Sequence, residues 1–298
     1  MKQDAVTIGV ISDGKAGHLN QSLGLAEALE RQRPACTIRE LSALPRGQAL
    51  RSLLYPSASA DQIDLLIGAG HATHLSLLAL SRRARCPSIV LMRPSLPVRL
   101  FDLCIQPRHD GGQESPRLWL SDGPLNRIRA GRSRDNMGLI LIGGPSPHYE
   151  WEPQALQRQV MRICDGSRHW QLSSSRRTPV EFLESVQALG LPNLSVLPVD
   201  ELPAGWLAEQ LPRATSCWVT PDSASMVYEA LTAGCAVGVF DLPSREGSRV
   251  AAAIADLGQR GLLSTFSELT PSAALTPPRV RFAEAERCAT RILERGWL

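Results

Sequence analysis

The stretch that decides the fold is residues 218–242, WVTPDSASMVYEALTAGCAVGVFDL. A short apolar strand over residues 217–220 is broken by Pro221, and the Asp and Ser side chains that follow can accept the free N–H groups of a helix's first turn. Apolar residues then recur at helical spacing up to Gly234, where a left-handed residue ends a helix, and a second apolar strand follows. The stretch predicts a strand–helix–strand unit.

The predicted helix carries a polar stripe. At about 100° per residue, Asp222, Ser225 and Glu229 fall on one face, away from the apolar one. A helix N-terminus with hydroxyls at its mouth attracts an anion, and a carboxylate two turns on can accept hydrogen bonds from sugar hydroxyls. The stripe therefore fits a nucleotide, with its phosphates at the helix tip and its ribose on Glu229. The alternative is a structural αβ unit in which Glu229 is a solvated surface acid.

A similar unit opens the chain. Residues 6–11 form a continuous apolar run, typical of a strand buried on both faces of a parallel sheet, and SDGKAGHLNQ at residues 12–21 leads into a helix. The turn matches neither a Walker A loop nor GxGxxG. Its glycines let the backbone approach a ligand, and Asp13, Lys15 and His18 add titratable groups where open α/β sheets bind ligands. We favour a functional loop over a tight turn with solvated charges.

Two more polar turns follow strands in the second half. Residues 137–142 form an apolar strand that ends in GGPS at residues 143–146, and residues 169–173 run into SSSRRTP at residues 173–179. Arginine donates a bidentate fork and serine adds short donors, which together suit a diphosphate. A solvated turn is the alternative, but two such turns in the same half argue against coincidence.

Two features of the first half allow two interpretations each. His109 and Asp110 follow a predicted strand at residues 103–105, and they are either a base with its orienting acid or a simple turn. The predicted helix over residues 45–55 places Arg46 and Arg51 beside leucines. This helix is either a basic and apolar patch that lies on a membrane surface or, as the sequence favours, an ordinary amphipathic helix facing the core.

Composition limits the class of protein. The 298 residues are enough for two domains, and 43% hydrophobic with 20% charged residues is typical of a globular chain. The net charge of +3, without a basic stripe interleaved with aromatics, argues against a nucleic-acid binder. No apolar run approaches the roughly 18 residues of a membrane span, and residues 1–10 lead straight into a strand. No signal peptide is expected, and the predicted location is the cytoplasm.

Seven cysteines are scattered without a CxxC pair. Their odd number and their positions in predicted strands and helices indicate reduced, mostly buried thiols in a reducing compartment. Neither a structural zinc site nor another metal site is expected. The cysteines are Cys36, Cys86, Cys104, Cys164, Cys217, Cys235 and Cys288.

Six motifs together resemble one family. They are DGKAGHLNQSLGLAEAL, LMRPSLP, FDLCIQPRHD, GGPSPHY, SSSRRTP and TPDSASMVYEALTAG, in that order from residue 13 to residue 234. They resemble bacterial relatives of the plant "elongated mitochondria" fission protein, whose members are often labelled predicted nucleoside-diphosphate-sugar epimerases. The segment at residues 218–242 also looks like the donor-nucleotide helix of GT-B glycosyltransferases of the MurG type.

The resemblance implies an α/β, GT-B-like fold. Two Rossmann-type domains would face each other across a cleft, and the C-terminal helix would cross back to the first domain. The expected domains are residues 1–130 with helix 281–298, on the acceptor side, and residues 137–280, which would bind the nucleotide-sugar. Residues 121–136 lack periodicity, contain Arg127, Arg129, Arg132 and Arg134, and are predicted to connect the domains.

By analogy with GT-B enzymes, the resemblance also implies site residues. His18 or Asp13 would be the catalytic base. The nucleotide and its phosphates would be held by Gly143, Gly144, Ser146, Ser174, Ser175, Arg176, Asp222, Ser223, Ser225 and Glu229. The acceptor side would use Gly14, Lys15, Gly17, Asn20, Gln21, Arg93 and Asp110. Lys15 stands where the MurG loop has a glycine, so the two loops differ there.

Three functions follow as hypotheses. The first is an inverting glycosyltransferase with a UDP-type nucleotide-sugar donor, acting on a cell-envelope glycan or lipid-linked acceptor, with peripheral contact to the inner membrane. It would need no cofactor and no metal, since no Asp-x-Asp motif is present and protein groups would stabilise the leaving diphosphate. The second is a nucleotide-sugar 2-epimerase on the same scaffold. The third is a non-catalytic adaptor that recruits partners to a membrane, which would have no need for diphosphate-like turns.

Overall fold

A computed structural model describes residues 5–55, 62–131, 137–268 and 275–298. The strands are β1 (Val6–Ser12), β2 (Cys36–Ser42), β3 (Leu65–Ala69), β4 (Ser88–Leu91), β5 (Leu103–Pro107), β6 (Leu118–Ser121), β7 (Met137–Leu141), β8 (His169–Ser173), β9 (Leu194–Leu197), β10 (Ser216–Val219), β11 (Ala236–Val239) and β12 (Ser264–Thr265). The helices are α1 (Ala16–Gln32), α2 (Arg46–Leu54), α3 (His74–Ala84), α4 (Pro153–Ile163), α5 (Val180–Gln187), α6 (Trp206–Gln210), α7 (Ala224–Ala233), α8 (Arg249–Gln259) and α9 (Glu284–Leu293).

The chain divides into two compact units. Unit 1 comprises Met1–Arg127 together with Ala283–Leu298, and unit 2 comprises Ile128–Phe282. The change from unit 1 to unit 2 therefore falls inside the stretch predicted to connect two domains. Arg132 and Arg134, two of the arginines of that stretch, lie outside the described residues.

Unit 1 is a parallel sheet in the order β2-β1-β3-β4-β5-β6, with helices on both faces. On one face α1 and α9 bury apolar side chains such as Leu25 and Ile292 against the strands. On the other face α3 buries Leu77, and α2 packs against α3. Because both faces are covered, β1 reads as a continuous apolar run, and Ile8 and Val10 are fully buried.

Unit 2 is a second parallel sheet, in the order β9-β8-β7-β10-β11-β12. Helices α4 and α5 cover one face, and α7 and α8 cover the other. The decisive stretch forms β10, α7 and β11, and α7 ends at Gly234, whose φ of 83° is left-handed. The predicted α/β fold with two Rossmann-type sheets is confirmed.

Some boundaries differ from the predicted ones. Strand β6 adjoins residues 121–136, which lack periodicity, and β12 has only two residues, so the sequence predicts neither strand. Helix α6 has only five residues, because Pro203 precedes it and Gly205 takes a left-handed φ of 87° at its start. None of the described helices is long and apolar enough to cross a bilayer.

Each sheet has one point where the strand order reverses direction. In unit 1, β2 lies on one side of β1 and β3 on the other; in unit 2, β8 lies on one side of β7 and β10 on the other. In unit 1 the helices α1 and α3, which follow β1 and β3, cover opposite faces of the sheet, and in unit 2 the same holds for α4 and α7, which follow β7 and β10. The loops at the carboxyl ends of these strands therefore separate and leave a crevice. These switch points are where open α/β sheets bind ligands.

Candidate functional site

The switch point of unit 1 holds the Asp13–His18 pair. The turn between β1 and α1 brings His18 Nδ1 to 2.9 Å from Asp13 Oδ2. The Asp13 side chain is 3% exposed, and its Oδ1 accepts a hydrogen bond from the Lys15 N–H at 3.2 Å. A carboxylate bonded to Nδ1 fixes the neutral imidazole with its proton on that nitrogen, so Nε2 is left to accept a proton.

Two glycines, Gly14 and Gly70, allow the Asp13–His18 pair to take this position. Gly14 allows the turn, with a left-handed φ of 82°. The His18 ring lies against Gly70, which follows β3: a Cβ on Gly70 would come within 2.3 Å of His18 Cε1. The two loops of the switch point therefore meet at the imidazole.

The pKa of Asp13 is lowered in this setting. Burial acts to raise it, but the hydrogen bonds from His18 and from the Lys15 N–H, with the nearby positive charges, outweigh burial. Asp13 is therefore better suited to hold the imidazole than to take a proton at neutral pH. Of the two bases that the sequence proposed, the geometry favours His18.

The other residues expected on the acceptor side are divided between two places. Lys15 and Gly17 are exposed at the start of α1, and Asn20 and Gln21 follow on it, partly buried. Arg93 lies beyond β4 and donates to the Asp110 carbonyl oxygen at 3.3 Å, so these two form a separate contact beyond β4 and β5. His109 and Asp110 occupy one short 3-10 turn, Arg108–Asp110.

The switch point of unit 2 brings the GGPS turn against Asp222. The N–H of Gly144 donates to Asp222 Oδ2 at 3.0 Å, and the N–H of Gly143 donates to the Thr220 hydroxyl at 2.7 Å. A Cβ on Gly143 would lie 2.2 Å from Asp222 Oδ2, so glycine is required there. Both N–H groups expected to meet a phosphate are thus already used within the protein.

Arg177 is the residue that the sequence interpretation missed. Its guanidinium donates to Asp222 Oδ2 at 2.8 Å and to the carbonyl oxygens of Gly144 and Pro145, each at 3.0 Å. The Asp222 side chain is 1% exposed, so this is an ion pair with one buried member. Arg176, the arginine that the sequence predicts at the phosphate, is exposed and has no hydrogen bond or ion pair among the described residues. The doubled arginine in SSSRRTP was the only signal in the sequence.

The serines of these turns mainly shape the backbone. Ser174 is buried and its hydroxyl accepts from the Val199 N–H at 2.9 Å. Ser175 donates to the Gly143 carbonyl at 2.9 Å, which ties the turn after β8 to the turn after β7. Ser146 accepts from the His148 N–H at 3.1 Å. These serines build the switch point, and Ser174 is too buried to reach a ligand there.

The start of α7 differs from the prediction. Ser223 is the N-cap residue, but neither it nor Asp222 caps the helix with its side chain. The prediction that Asp222 caps the first turn is wrong, because its carboxylate is held by Gly144 and Arg177. Ser225 is exposed in the first turn, and Glu229 is partly buried one turn further on. An uncapped helix start with an exposed hydroxyl can still receive an anion.

A cavity of about 1200 Å³ lies within unit 2 beside the switch point. It is lined by Tyr149 and Pro221, by α4 and α8, and by the loop after β11 from Asp241 to Ser248; Ser225 and Glu229 do not line it. Burial and the charge of Asp222 raise the pKa of Tyr149 to about 12, so its hydroxyl stays a neutral donor. Burial also raises the pKa of Asp241 despite its hydrogen bonds with Ser267.

Two further chemical features concern the described part of the chain. It contains no group of three or more His, Cys, Asp or Glu side chains placed to hold a metal ion. All seven cysteines are buried and none of them forms a disulfide, as predicted.

Comparison with known proteins gives a family and a fold. The family described as "Mitochondrial fission ELM1" matches residues 16–296. No curated protein gives a significant match. A putative UDP-N-acetylglucosamine 2-epimerase from Listeria monocytogenes superposes with a TM-score of 0.58 at 14% identity, covering 97% of this chain and 95% of that one. The glycosyltransferase of kitacinnamycin superposes with a TM-score of 0.52 at 15% identity, covering 99% of this chain and 100% of that one. MurG from Acinetobacter baumannii superposes with a TM-score of 0.49 at 15% identity, covering 98% of this chain and 92% of that one.

Proposed function

We propose that this chain, which belongs to the mitochondrial fission ELM1 family, is a GT-B-type glycosyltransferase that uses a nucleotide-sugar donor. The observation that carries the proposal is the Asp13–His18 pair at the switch point of unit 1, with Nδ1 bound to a buried carboxylate at 2.9 Å. Such a pair is what a reaction needs when a hydroxyl must lose its proton as it attacks. The similar solved structures support the scaffold and leave the chemistry to the site.

The proposed reaction is a direct displacement. The acceptor hydroxyl gives its proton to His18 Nε2 while its oxygen bonds to the anomeric carbon, and the bond from that carbon to the diphosphate oxygen breaks. Attack opposite the leaving group inverts the anomeric centre. Asp13 stabilises the imidazolium that forms, as the carboxylate does in other His–Asp pairs. Lys15, exposed in the same turn, would hold an anionic part of the acceptor.

The donor is proposed to bind unit 2. The exposed Arg176 and the uncapped start of α7, with Ser225, would receive the diphosphate, and Glu229 would accept hydrogen bonds from the ribose. Arg177 and Asp222 would act by fixing the GGPS turn, since their hydrogen bonds are made within the protein. The leaving diphosphate would be stabilised by these donors without a metal. We expect a UDP-type donor.

We further propose a cell-envelope glycan or a lipid-linked sugar as the acceptor, at the inner face of the cytoplasmic membrane. A nucleotide-sugar 2-epimerase is the second candidate, because the putative UDP-N-acetylglucosamine 2-epimerase from Listeria monocytogenes has a similar fold. The two are separated by the product. A transferase releases UDP and extends an acceptor, whereas an epimerase returns an isomer of the donor sugar and needs no acceptor.

Calorimetry with UDP and uridine tests the donor site. Glu229→Ala should weaken both ligands by about 1–3 kcal/mol, the loss expected for charge-assisted hydrogen bonds to sugar hydroxyls. Arg176→Ala should weaken UDP more than uridine, because only UDP carries the diphosphate. The matched controls are Glu181→Ala and Arg158→Ala, which change exposed residues of the same unit outside the proposed site.

Two results would contradict the donor site. Equal losses for UDP and uridine in Arg176→Ala would remove Arg176 from the diphosphate site. No binding of any nucleotide or nucleotide-sugar by the wild type would favour the adaptor hypothesis over both enzymes.

A further inference from the structure

The outer face of α2 exposes large apolar side chains. Leu50 is 50% exposed, Leu54 is 74% exposed, and Tyr55, which follows the helix, is 76% exposed. Ala49 is the only buried residue of α2. The prediction that this helix simply faces the core is wrong for these three side chains, because α3 covers the sheet there and α2 contributes little to the core. We call Arg46, Leu50, Arg51, Leu54 and Tyr55 the α2 surface.

The charges carried by α2 and α3 have one sign. Helices α2 and α3 contain no Asp or Glu, while α2 has Arg46 and Arg51 and α3 ends with Arg82 and Arg83, followed by Arg85. The whole chain is nearly balanced, with 32 basic and 29 acidic residues. The excess is therefore local.

The two helices are placed so that Arg51 and the α3 arginines lie at the same end of the sheet. Both run from the carboxyl end of one parallel strand to the amino end of the next, so they point the same way. The Leu44 N–H, just before α2, donates to the Ser76 hydroxyl in the first turn of α3 at 2.8 Å. Their C-terminal ends therefore lie together, near the amino ends of the strands. Leu54, Arg51 and the α3 arginines are at these C-terminal ends.

The opposite face of the same sheet is different. There α1 and α9 contain ion pairs: Arg31 with Glu286 at 2.9 Å, and Arg287 with Glu284. Glu40 of β2 also lies on that face, because it is two residues from Ile38, and Ile38 packs against the core that α1 and α9 form with the sheet. On the α2 side, by contrast, the arginines of α2 and α3 form no ion pair with a carboxylate among the described residues.

We propose that the α2 surface binds a lipid bilayer that contains anionic phospholipids. Leu50 and Leu54 would enter the boundary of the acyl chains, Tyr55 would lie at headgroup level, and the arginines would meet phosphates. One nine-residue helix gives weak and reversible binding. The proposal does not depend on the proposed transferase chemistry, since binding to a bilayer needs no nucleotide-sugar.

Vesicle co-sedimentation of the full chain, without nucleotide, tests the proposal. Vesicles of equal parts phosphatidylglycerol and phosphatidylcholine should retain the protein better than pure phosphatidylcholine, and added salt should release it. Arg51→Gln should weaken binding about fivefold, and Leu54→Ser about tenfold. Both side chains are exposed, so the fold should tolerate the changes, which circular dichroism checks.

Matched controls lie in unit 2. Val180→Ser changes an apolar side chain that is 63% exposed on α5, and Arg158→Gln changes an exposed arginine on α4; both should bind vesicles like the wild type. The proposal is overturned if wild type does not prefer the anionic vesicles, or if the α2 variants bind like the controls. A dimer that Leu54→Ser dissolves, with no vesicle binding, would show that a second copy covers the surface instead.

Discussion

At the switch point of unit 1 the glycines of the turn lie in open space, whereas at that of unit 2 they are pressed against another loop. Added Cβ atoms on Gly14 and Gly17 would meet nothing within 4 Å, but one on Gly144 would come within 2.3 Å of the Arg177 carbonyl oxygen. In unit 1 the polar side chains pair within their own turn, as Asp13 and His18 do. In unit 2 they join three separate turns, through Arg177 and Asp222.

The difference teaches that similar glycine turns at equivalent places need not have the same purpose. The turn of unit 1 leaves an imidazole nitrogen and Lys15 for chemistry. In the turn of unit 2 the Gly143 and Gly144 N–H groups and the Asp222 carboxylate form hydrogen bonds within the protein, which makes the turn rigid. Only neighbouring residues such as Arg176 and Ser225 can then bind a ligand. Replacing His18 should therefore mainly change rate, and replacing Arg177 or Gly144 should mainly change stability.

The largest expected effect is on rate, from His18→Ala. Loss of the base should lower turnover about 10²–10⁴-fold, the usual contribution of general acid–base catalysis, while donor affinity stays nearly unchanged. The measurement is UDP release from a UDP-sugar beside calorimetry of donor binding. His169→Ala, an exposed histidine of unit 2, is the control. Full activity of His18→Ala would show that His18 only packs against Gly70.

The next effect is on stability, from Arg177→Ala. Removing the arginine leaves the buried Asp222 carboxylate without its cationic partner, and such losses cost about 3–5 kcal/mol. We expect about 2–4 kcal/mol here, because the Arg177 side chain is itself 44% exposed. Urea unfolding measures it. Adding Asp222→Asn to Arg177→Ala should restore part of the loss, since the buried charge is then removed.

The neighbouring arginine is the control for that experiment. Arg176→Ala should change stability by less than about 0.5 kcal/mol, as exposed residues usually do. Equal destabilisation by Arg176→Ala and Arg177→Ala would argue that the Asp222 pair contributes nothing special.

A smaller effect is expected from the glycines themselves. Gly144→Ala should destabilise by about 1–3 kcal/mol, because its Cβ meets backbone that cannot turn aside. Gly17→Ala, within α1 and with open space around it, should be neutral or stabilise by up to about 1 kcal/mol. Urea midpoints of the two variants compare them directly. Similar losses in both would break the contrast between the two turns.

The smallest effect concerns pH. The lowered pKa of Asp13 means that its contribution to stability is complete above its unfolded pKa of about 3.9 and is lost as pH falls through the folded value. Wild type should therefore be more stable than Asp13→Asn at neutral pH, and this difference should shrink below about pH 4. Thermal unfolding across this range measures it, with Asp165→Asn, an exposed aspartate, beside it. A difference that does not change with pH would mean that Asp13 acts by its shape alone.

The sequence predicted the fold better than the site. Buried parallel strands such as β1 and β7 are marked by apolar runs and by the turns after them, so their order along the chain could be read. Which of two adjacent arginines turns inward depends on the turn's backbone, so Arg176 was chosen over Arg177. The local sequence around Asp222 resembles a helix cap. It cannot show that the turn at residues 143–146, distant along the chain, reaches the Asp222 carboxylate before the first turn of α7 does.

The position of α9 has a consequence for how the chain is made. Cys288, Ala289 and Ile292 of this helix are fully buried in the core of unit 1, yet α9 comes after the whole of unit 2 along the chain. A ribosome adding about 5–20 residues per second completes residues 128–282 before α9 emerges, which takes on the order of ten seconds. Through that interval α1 covers this face of the first sheet alone, and the part that α9 later buries stays exposed. Unit 2 is contiguous and can finish folding first, while the unit begun earlier finishes last.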